Sequence, residues 1–414
     1  MTSLPSKQHY GSIERKRPSW WNGAVTALDF LFSELGSRPF DVFLRGQRVF
    51  DRDEGSRLTF SLSFSDPEKL CEYILHHKEV SLMAACMRGD LEIEGDAIEA
   101  ALVSRALLSK GNPFLDNEHM EFLIGDMPGG YQNTKRAPPS IQLKNGKMRS
   151  PTDEDLAPEC LTLWRGTFLY DSSAYFANRF EDLDAAQVQK SDYILRKLDL
   201  KEDDLLLDVD CGWGSFMLYA AEKHGAHVRG ITTSARQAEY VNQRINASGL
   251  RSRCAVFHMN YQDLDGPERY NKIVFLDRLE NQALCQNPEF YRKMSGLLKP
   301  GGIFLNSQIS GTSDDSSAKP YQYAGSFGFE IRDVENLRDH YDLTIQRWLQ
   351  RLAAAKDEFC AMTDEQIYRS WRFHLAEVAA AFRSGDLTVS QVQYVKPDDN
   401  GHVCLPLSRR DWYI

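Results

Sequence analysis

The stretch Leu205-Leu206-Leu207-Asp208-Val209-Asp210-Cys211-Gly212-Trp213-Gly214-Ser215 decides the fold. Its first residues form a short apolar run, as a strand buried on both faces requires. Gly212 and Gly214 mark a tight turn, and a helical pattern follows from Phe216 to His224. A strand that turns sharply into a helix aims backbone N–H groups at a ligand, and nucleotide-like cofactors are held at such places. Asp210 stands where the first glycine of the turn is expected. It adds bulk and charge and restricts a backbone angle that glycine tolerates.

Outward from this turn, helices and strands alternate. A helix over Gln187–Leu198 precedes the first strand. Strand patterns recur at Val228–Thr232, Cys254–Phe257, Lys272–Leu276 and Ile303–Leu305, with helices over Phe216–His224, Ala235–Ala247 and near Glu289–Leu298. Such alternation predicts an α/β domain with a doubly wound, Rossmann-like parallel sheet. Upstream the grammar differs. A helical pattern over Ala24–Leu35 leads into Phe40–Gln47 and Leu58–Phe64, which alternate as half-buried strands, the first closing on a glycine turn. Helices are predicted over Pro67–His76, Val80–Met87 and Ala97–Leu108, with Leu91–Asp96 between the last two. The chain therefore divides into a tail (1–20), a smaller α+β domain (21–125), a Gly/Pro-rich linker (126–160), the α/β domain (161–396) and a C-terminal tail (397–414).

A chain of 414 residues is long for one core, and its net charge of −10 argues against nucleic-acid binding. The local basic stretch Lys135, Arg136, Lys144, Lys147 and Arg149 reads either as a solvated linker or as a contact for anionic lipid headgroups. No apolar run reaches the ~18–20 residues of a bilayer span. Arg15, Lys16 and Arg17 precede only a short amphipathic stretch rather than a signal peptide. Eight scattered cysteines, without a CxxC pair or a Cys/His cluster, read as reduced thiols in the cytoplasm and as no metal site.

Several segments together resemble one family. They are the DxxCGWG turn, Gly230-Ile231-Thr232-Thr233-Ser234 with Gln237, and Leu298-Lys299-Pro300-Gly301-Gly302. Ser172-Ser173-Ala174-Tyr175-Phe176, Arg332–Arg338 with His340, Tyr341, Thr344 and Trp348, and Trp371-Arg372-Phe373 with Phe382 and Arg383 add to them. The chain resembles the cyclopropane-fatty-acid synthases, a branch of the class I S-adenosylmethionine-dependent methyltransferases. Gly89–Asp96 is similar to the accessory domain of the bacterial members. The resemblance implies transfer of a methylene or methyl group from S-adenosylmethionine to an unsaturated acyl chain, with bicarbonate as the base. It also implies an unsaturated acyl lipid or phospholipid as partner, peripheral membrane contact, and a homodimer through the smaller domain.

Matched residue by residue, the resemblance places the cofactor against Ser172, Asp208, Asp210, Cys211, Gly212, Trp213, Gly214, Thr232, Thr233, Ser234, Gln237, Asn260 and Tyr261. Asn260 replaces the family's Asp, and its amide oxygen still accepts from an amino group. The catalytic positions fall on Glu280, Tyr341, Ser173 and Ser307. Ser173 replaces a Cys, Asn281 and Ser307 replace His, and the family's His-Tyr-Asp motif has no counterpart in 150–166. Two serines keep hydroxyl groups but supply no imidazole, so the bicarbonate site is eroded. Glu280 reads either as a general base or as a residue capping a helix near Asn281. Tyr341 is read as core or pocket. Trp371, Phe373, Phe382 and Tyr368 read as packing or as an aromatic cage for a cation, and His258, His340 and His374 as structural. Three functions fit these departures: a divergent lipid methyltransferase, a pseudo-methyltransferase that binds lipid or serves as a non-catalytic subunit, and a relative that uses the pocket for a non-methylating cyclisation or oxidation.

Overall fold

The structure is a computed structural model. It describes residues 21–32, 35–66, 68, 70, 85–109, 156–276, 286–311, 319–403 and 405–413. The tail 1–20, residues 126–155 of the linker with their basic stretch, most of the two helices predicted over 67–87, and Arg278–Asn281 lie outside the described residues. The chain divides into two compact units, Met1–Met148 and Arg149–Ile414.

The first unit sets helix α1 (Trp21–Phe32) and helix α2 (Ala97–Ser109) with a four-stranded sheet. Its strands are β1 (Phe40–Leu44), β2 (Gln47–Phe50), β3 (Phe60–Phe64) and β4 (Leu91–Gly95), in the order β2-β1-β3-β4. The strand predicted from Phe40 runs to Leu44, and the glycine turn expected at its close is a hairpin turn into β2. Arg45 and Gly46 both take positive φ (51° and 74°), the two-residue turn whose twist suits paired strands. Phe40 stacks on Phe60 at 4.9 Å and meets Phe32 at 4.9 Å, so alternate residues of the strands build the core with α1.

The second unit opens with helices α3 (Pro158–Arg165) and α4 (Leu183–Lys197). Then come β5 (Leu205–Val209), α5 (Ser215–His224), β6 (His227–Thr232), α6 (Ala235–Ala247), β7 (Cys254–His258) and β8 (Tyr270–Leu276). Helix α7 (Pro288–Leu297), β9 (Leu298–Gly311), α8 (Lys319–Ser326), β10 (Glu330–Asn336), α9 (Arg338–Ala354), α10 (Lys356–Met362), α11 (Glu365–Ser384) and β11 (Leu387–Val395) complete it. The seven strands lie in the order β10-β11-β9-β8-β5-β6-β7. Only β11 runs against its neighbours, pairing antiparallel with both β9 and β10. The α/β, doubly wound sheet expected from the sequence is present; the β10–β11 pair at its end is an addition to that reading.

Alternation along each strand feeds two cores. Leu206, Val274 and Leu305 pack on one face of the sheet, and Leu207, Ile273 and Phe304 on the other. Helix α3 begins within the stretch read as linker. Its Trp164 is fully buried and meets Trp348 of α9 at 5.6 Å and Trp371 of α11 at 5.1 Å. The cation over these aromatic faces is the chain's own Arg165, 4.6 Å from the Trp164 ring and 5.9 Å from that of Trp371.

The stretch read as a C-terminal tail is anchored. Lys197, fully buried, sits 2.9 Å from Asp333 and 2.7 Å from Glu335 on β10. Arg409 pairs with the same Asp333, Trp412 is buried, and the Tyr193 hydroxyl bonds to Glu335 at 2.7 Å and lies 3.3 Å from the Tyr413 hydroxyl.

Candidate active site

The site grows from the end of β5. There the backbone must leave the sheet, pass a turn and enter α5 within a few residues. Gly212 (φ 54°) and Gly214 (φ 78°) take the left-handed conformation, and so does Asp210 (φ 55°). A left-handed angle costs an ordinary L-residue roughly 1–2 kcal/mol, with aspartate among the few that adopt it. The glycine-like backbone path is therefore kept at Asp210, with a carboxylate added. Cys211 N–H donates to Ile231 O (2.9 Å) and Gly214 N–H to Cys211 O (2.9 Å). Arg244 of α6 braces the turn by donating to Trp213 O (3.0 Å) and Ser215 Oγ (3.1 Å). A Cβ at Gly214 would lie 2.7 Å from Val241 Cγ1, so this position holds α5 close against α6.

Three cavities meet around this turn. The first, about 250 Å³, lies over the ends of β5, β6 and β7 and is lined by Val209, Asp210, Ile231, Thr232, Thr233, Met259, Asn260 and Tyr261. The second lies against the turn; Asp171, Ser172, Asp208, Asp210, Cys211, Gly212 and Trp213 are among its walls. The third, of about 20 Å³, is formed by Ser172, Ser173, Lys190, Ser307, Tyr341 and Gln391, with Ile194, Leu276, Leu337 and Val389 as its apolar side. Asp210 is shared by the first two cavities, and Ser172 and Leu276 by the last two.

Most of the residues singled out in the sequence come together here. Three take other positions. Gly214 caps α5 behind the turn. Ser234 caps α6 and accepts from Gln237 N–H, while the Gln237 side chain accepts from Thr232 Oγ1 at 2.7 Å. Ser234 and Gln237 thus hold the loop after β6 in shape, and Thr232 and Thr233 face the cavity. The Asn260 side chain accepts from Gln262 N–H (3.0 Å), fixing its place at the rim. In the inner cavity, Tyr341 Oη donates to Asp171 O (3.1 Å) and Ser173 Oγ to Ala174 O (2.8 Å). Gln391 Nε2 lies 3.4 Å from Ser307 Oγ. Of the three histidines read as structural, His340 accepts from Phe176 N–H at Nδ1 (3.0 Å) and stacks on Tyr175 at 4.7 Å, holding the 172–176 segment. Burial lowers its pKa. Glu280 lies outside the described residues.

Lys190, on α4, was not singled out by its sequence context. It is buried, its Nζ donates to Ser172 Oγ (3.1 Å), and it lies 3.4 Å from the centre of the Tyr170 ring. A helix-face signal alone does not distinguish such a lysine from one that snorkels to solvent.

A seven-stranded sheet with one reversed strand, and a cleft over the ends of β5, β6 and β7, defines a class I S-adenosylmethionine-dependent methyltransferase. A structure of the cyclopropane synthase MmaA2 from Mycobacterium tuberculosis has this fold (TM-score 0.55, 23% identity, covering 60% of this chain and 99% of that one). The family described as mycolic acid cyclopropane synthetase matches residues 148–323 and 318–392, more than half of the chain. The chain belongs to that family. It is 29% identical over 391 residues to a probable fatty acid methyltransferase of Pseudomonas putida, covering 87% of this chain and 93% of the relative. It is 27% identical over 264 residues to the cyclopropane-fatty-acyl-phospholipid synthase of Escherichia coli K12, covering 60% of this chain and 67% of that protein. A structure of mycolic acid cyclopropane synthase CmaA1 complexed with SAH and CTAB is 27% identical with a TM-score of 0.53, covering 58% of this chain and 95% of that one.

The donor set fits the family's cofactor. Apolar Val209, Ile231 and Met259 beside Thr232, Thr233 and Asn260 suit a flat base joined to a hydroxylated sugar. Asp171, Asp208 and Asp210 at the turn suit a cationic amine and sulfonium.

Proposed function

We propose that this methyltransferase acts on an unsaturated acyl chain, carried by a lipid or phospholipid, and adds one methylene or methyl group to it. The observation that supports the reading is that the three cavities adjoin, with Asp210 and Ser172 as shared walls, and that Ser173, Ser307 and Tyr341 line the innermost of them. The relatives named as fatty acid and cyclopropane-fatty-acyl-phospholipid enzymes support the substrate class.

When bound, S-adenosylmethionine supplies an electrophilic methyl group. Thr232, Thr233, Asn260 and Tyr261 would hold its nucleoside part, and Asp208, Asp210, Gly212 and Ser172 its amino-acid part. The inner cavity has room for a water-sized group rather than an acyl chain. Its task is therefore to handle the proton that the alkylated chain loses. Ser307 Oγ lies within reach of Gln391 Nε2 as an acceptor and keeps its own hydrogen to orient the acceptor of that proton, bicarbonate in this reading, while Tyr341 Oη and Ser173 Oγ, which donate to Asp171 O and Ala174 O, offer lone pairs and hold the wall in shape. The apolar walls Ile194, Leu276, Leu337 and Val389 keep bulk water from the reacting carbons. Contact with a membrane is peripheral in this reading: none of the described helices is long and apolar enough to cross one.

The test is incubation of the purified full chain with methyl-labelled S-adenosylmethionine and vesicles of a cis-unsaturated phospholipid, followed by mass spectrometry of the acyl chains. A labelled gain of one CH₂ unit is expected. Cofactor binding without label in any acyl chain would overturn the reading.

A further inference from the structure

We infer that Lys190 is a positioning residue for the cofactor side of the site, acting from the wall of the inner cavity. The inference rests on the cofactor-binding reading of the turn. An ammonium group removed from water is tolerated only where polar or charged partners replace its hydration. Lys190 is buried at the inner face of α4, where the helix pattern otherwise places Ile194 and Ala186. Its partners all lie to one side. Nζ donates to Ser172 Oγ at 3.1 Å and sits over the Tyr170 ring at 3.4 Å. Burial lowers the lysine pKa, and the Asp171 and Asp208 carboxylates act in the opposite direction by favouring the charged form.

Tyr170, Asp171, Ser172 and Asp208 have one property in common: each lines the cavity against the glycine turn. Lys190 itself lines the inner cavity. A single side chain thus joins the inner cavity to two walls of the cofactor compartment, Ser172 by a hydrogen bond and Tyr170 by its ring face. Ser172 Oγ accepts from Lys190, which leaves its own proton to be directed at another acceptor. Removing the ammonium would therefore disturb the cofactor's surroundings rather than the inner cavity alone.

The experiment is a double-mutant cycle on the full chain, read by calorimetric titration with S-adenosylhomocysteine and with S-adenosylmethionine. Lys190→Met is expected to weaken both ligands about tenfold or more, and Ser172→Ala by a few-fold. Because Lys190 acts partly through Ser172, the double variant should bind about as weakly as Lys190→Met alone. Additive losses, or unchanged affinity in a folded Lys190→Met protein, would overturn the inference. A merely structural lysine would lower the melting temperature and leave the affinity of the folded protein alone. Lys190→Gln serves if the methionine variant does not fold. If neither folds, unchanged affinity in Ser172→Ala overturns the inference. A wild-type chain that binds neither ligand removes the cofactor reading itself. Binding without lipid methylation removes only the proposed substrate and leaves Lys190 standing.

Discussion

The cofactor cleft and the inner cavity adjoin each other but are made differently. The cleft is assembled from the ends of three neighbouring strands and the residues that immediately follow them, so backbone direction does most of the placing. The inner cavity takes residues from 172–173, 190, 276, 307, 341 and 391, side chains set far apart in the chain. A cleft built on strand ends tolerates substitution of single side chains, because the turn and the sheet keep its shape. A cavity built on distant side chains changes its chemistry with each replacement, and here its described walls carry hydroxyls, an amide and a lysine amine but no imidazole.

Four experiments would break or sharpen this contrast. The largest effect is expected at Gly214. An added methyl meets Val241, and φ is 78°, so Gly214→Ala should cost about 2–4 kcal/mol of stability and remove cofactor binding. Urea denaturation with titration of S-adenosylhomocysteine measures both; a fully stable, binding variant would show that the cleft does not depend on its backbone. Next comes acid. Burial, with Arg165 nearby, lowers the pKa of His374 from 6.5 to about 4. The unfolded chain therefore takes up the proton first, and stability is lost as the pH falls from 6.5 towards 4, by about 3 kcal/mol. His374 lies on α11, which packs against the helix carrying Tyr341, so hydrogen exchange should loosen there before the β5–β7 ends do. His374→Gln should flatten the acid limb; an unchanged pH profile would remove this histidine from the explanation.

Tyr341→Phe removes one hydrogen bond to Asp171 O, worth about 1 kcal/mol. Turnover should fall by about tenfold or more, while affinity for S-adenosylhomocysteine stays within about twofold. Equal losses in both would mean that the two regions are not separable at this residue. The smallest change is expected from Asp210→Gly. It relieves a left-handed aspartate but adds backbone freedom to the unfolded chain, so net stability should move by less than about 1 kcal/mol. Because Asp210 is one of the carboxylates that face the cationic amine, cofactor affinity should fall a few-fold. A rise instead would show that this side chain obstructs the ligand rather than holding it.

How much was legible in the sequence follows the same division. The apolar run Leu205–Val209 and its glycine turn exposed the strand, the turn and the helix, because their spacing depends only on local geometry. Thr232, Thr233 and Asn260 were legible as strand-end residues, because Thr232 closes β6, Thr233 follows it and Asn260 comes two residues after β7. Ser234 and Gln237 were read with them, but local pattern does not separate a side chain that faces a ligand from one that caps the next helix. Lys190 was missed since its partners come from Tyr170–Ser172 and from Asp208, which meet it only after α4 packs on the sheet. The glycine turn at Gly46 was legible, but the four-residue strand β2 beyond it was too short to show an alternation of its own.

The clasp at Lys197, Asp333 and Arg409 has a practical consequence for anyone shortening the chain. Stopping at Lys396, just beyond the last strand, looks economical. It would remove Arg409 and Trp412, uncover the Asp333 face of the edge strand β10, and present a sheet margin to other molecules. A shortened protein that precipitates would then report an uncovered edge, not a broken active site, and an affinity handle is better placed on the opposite terminus.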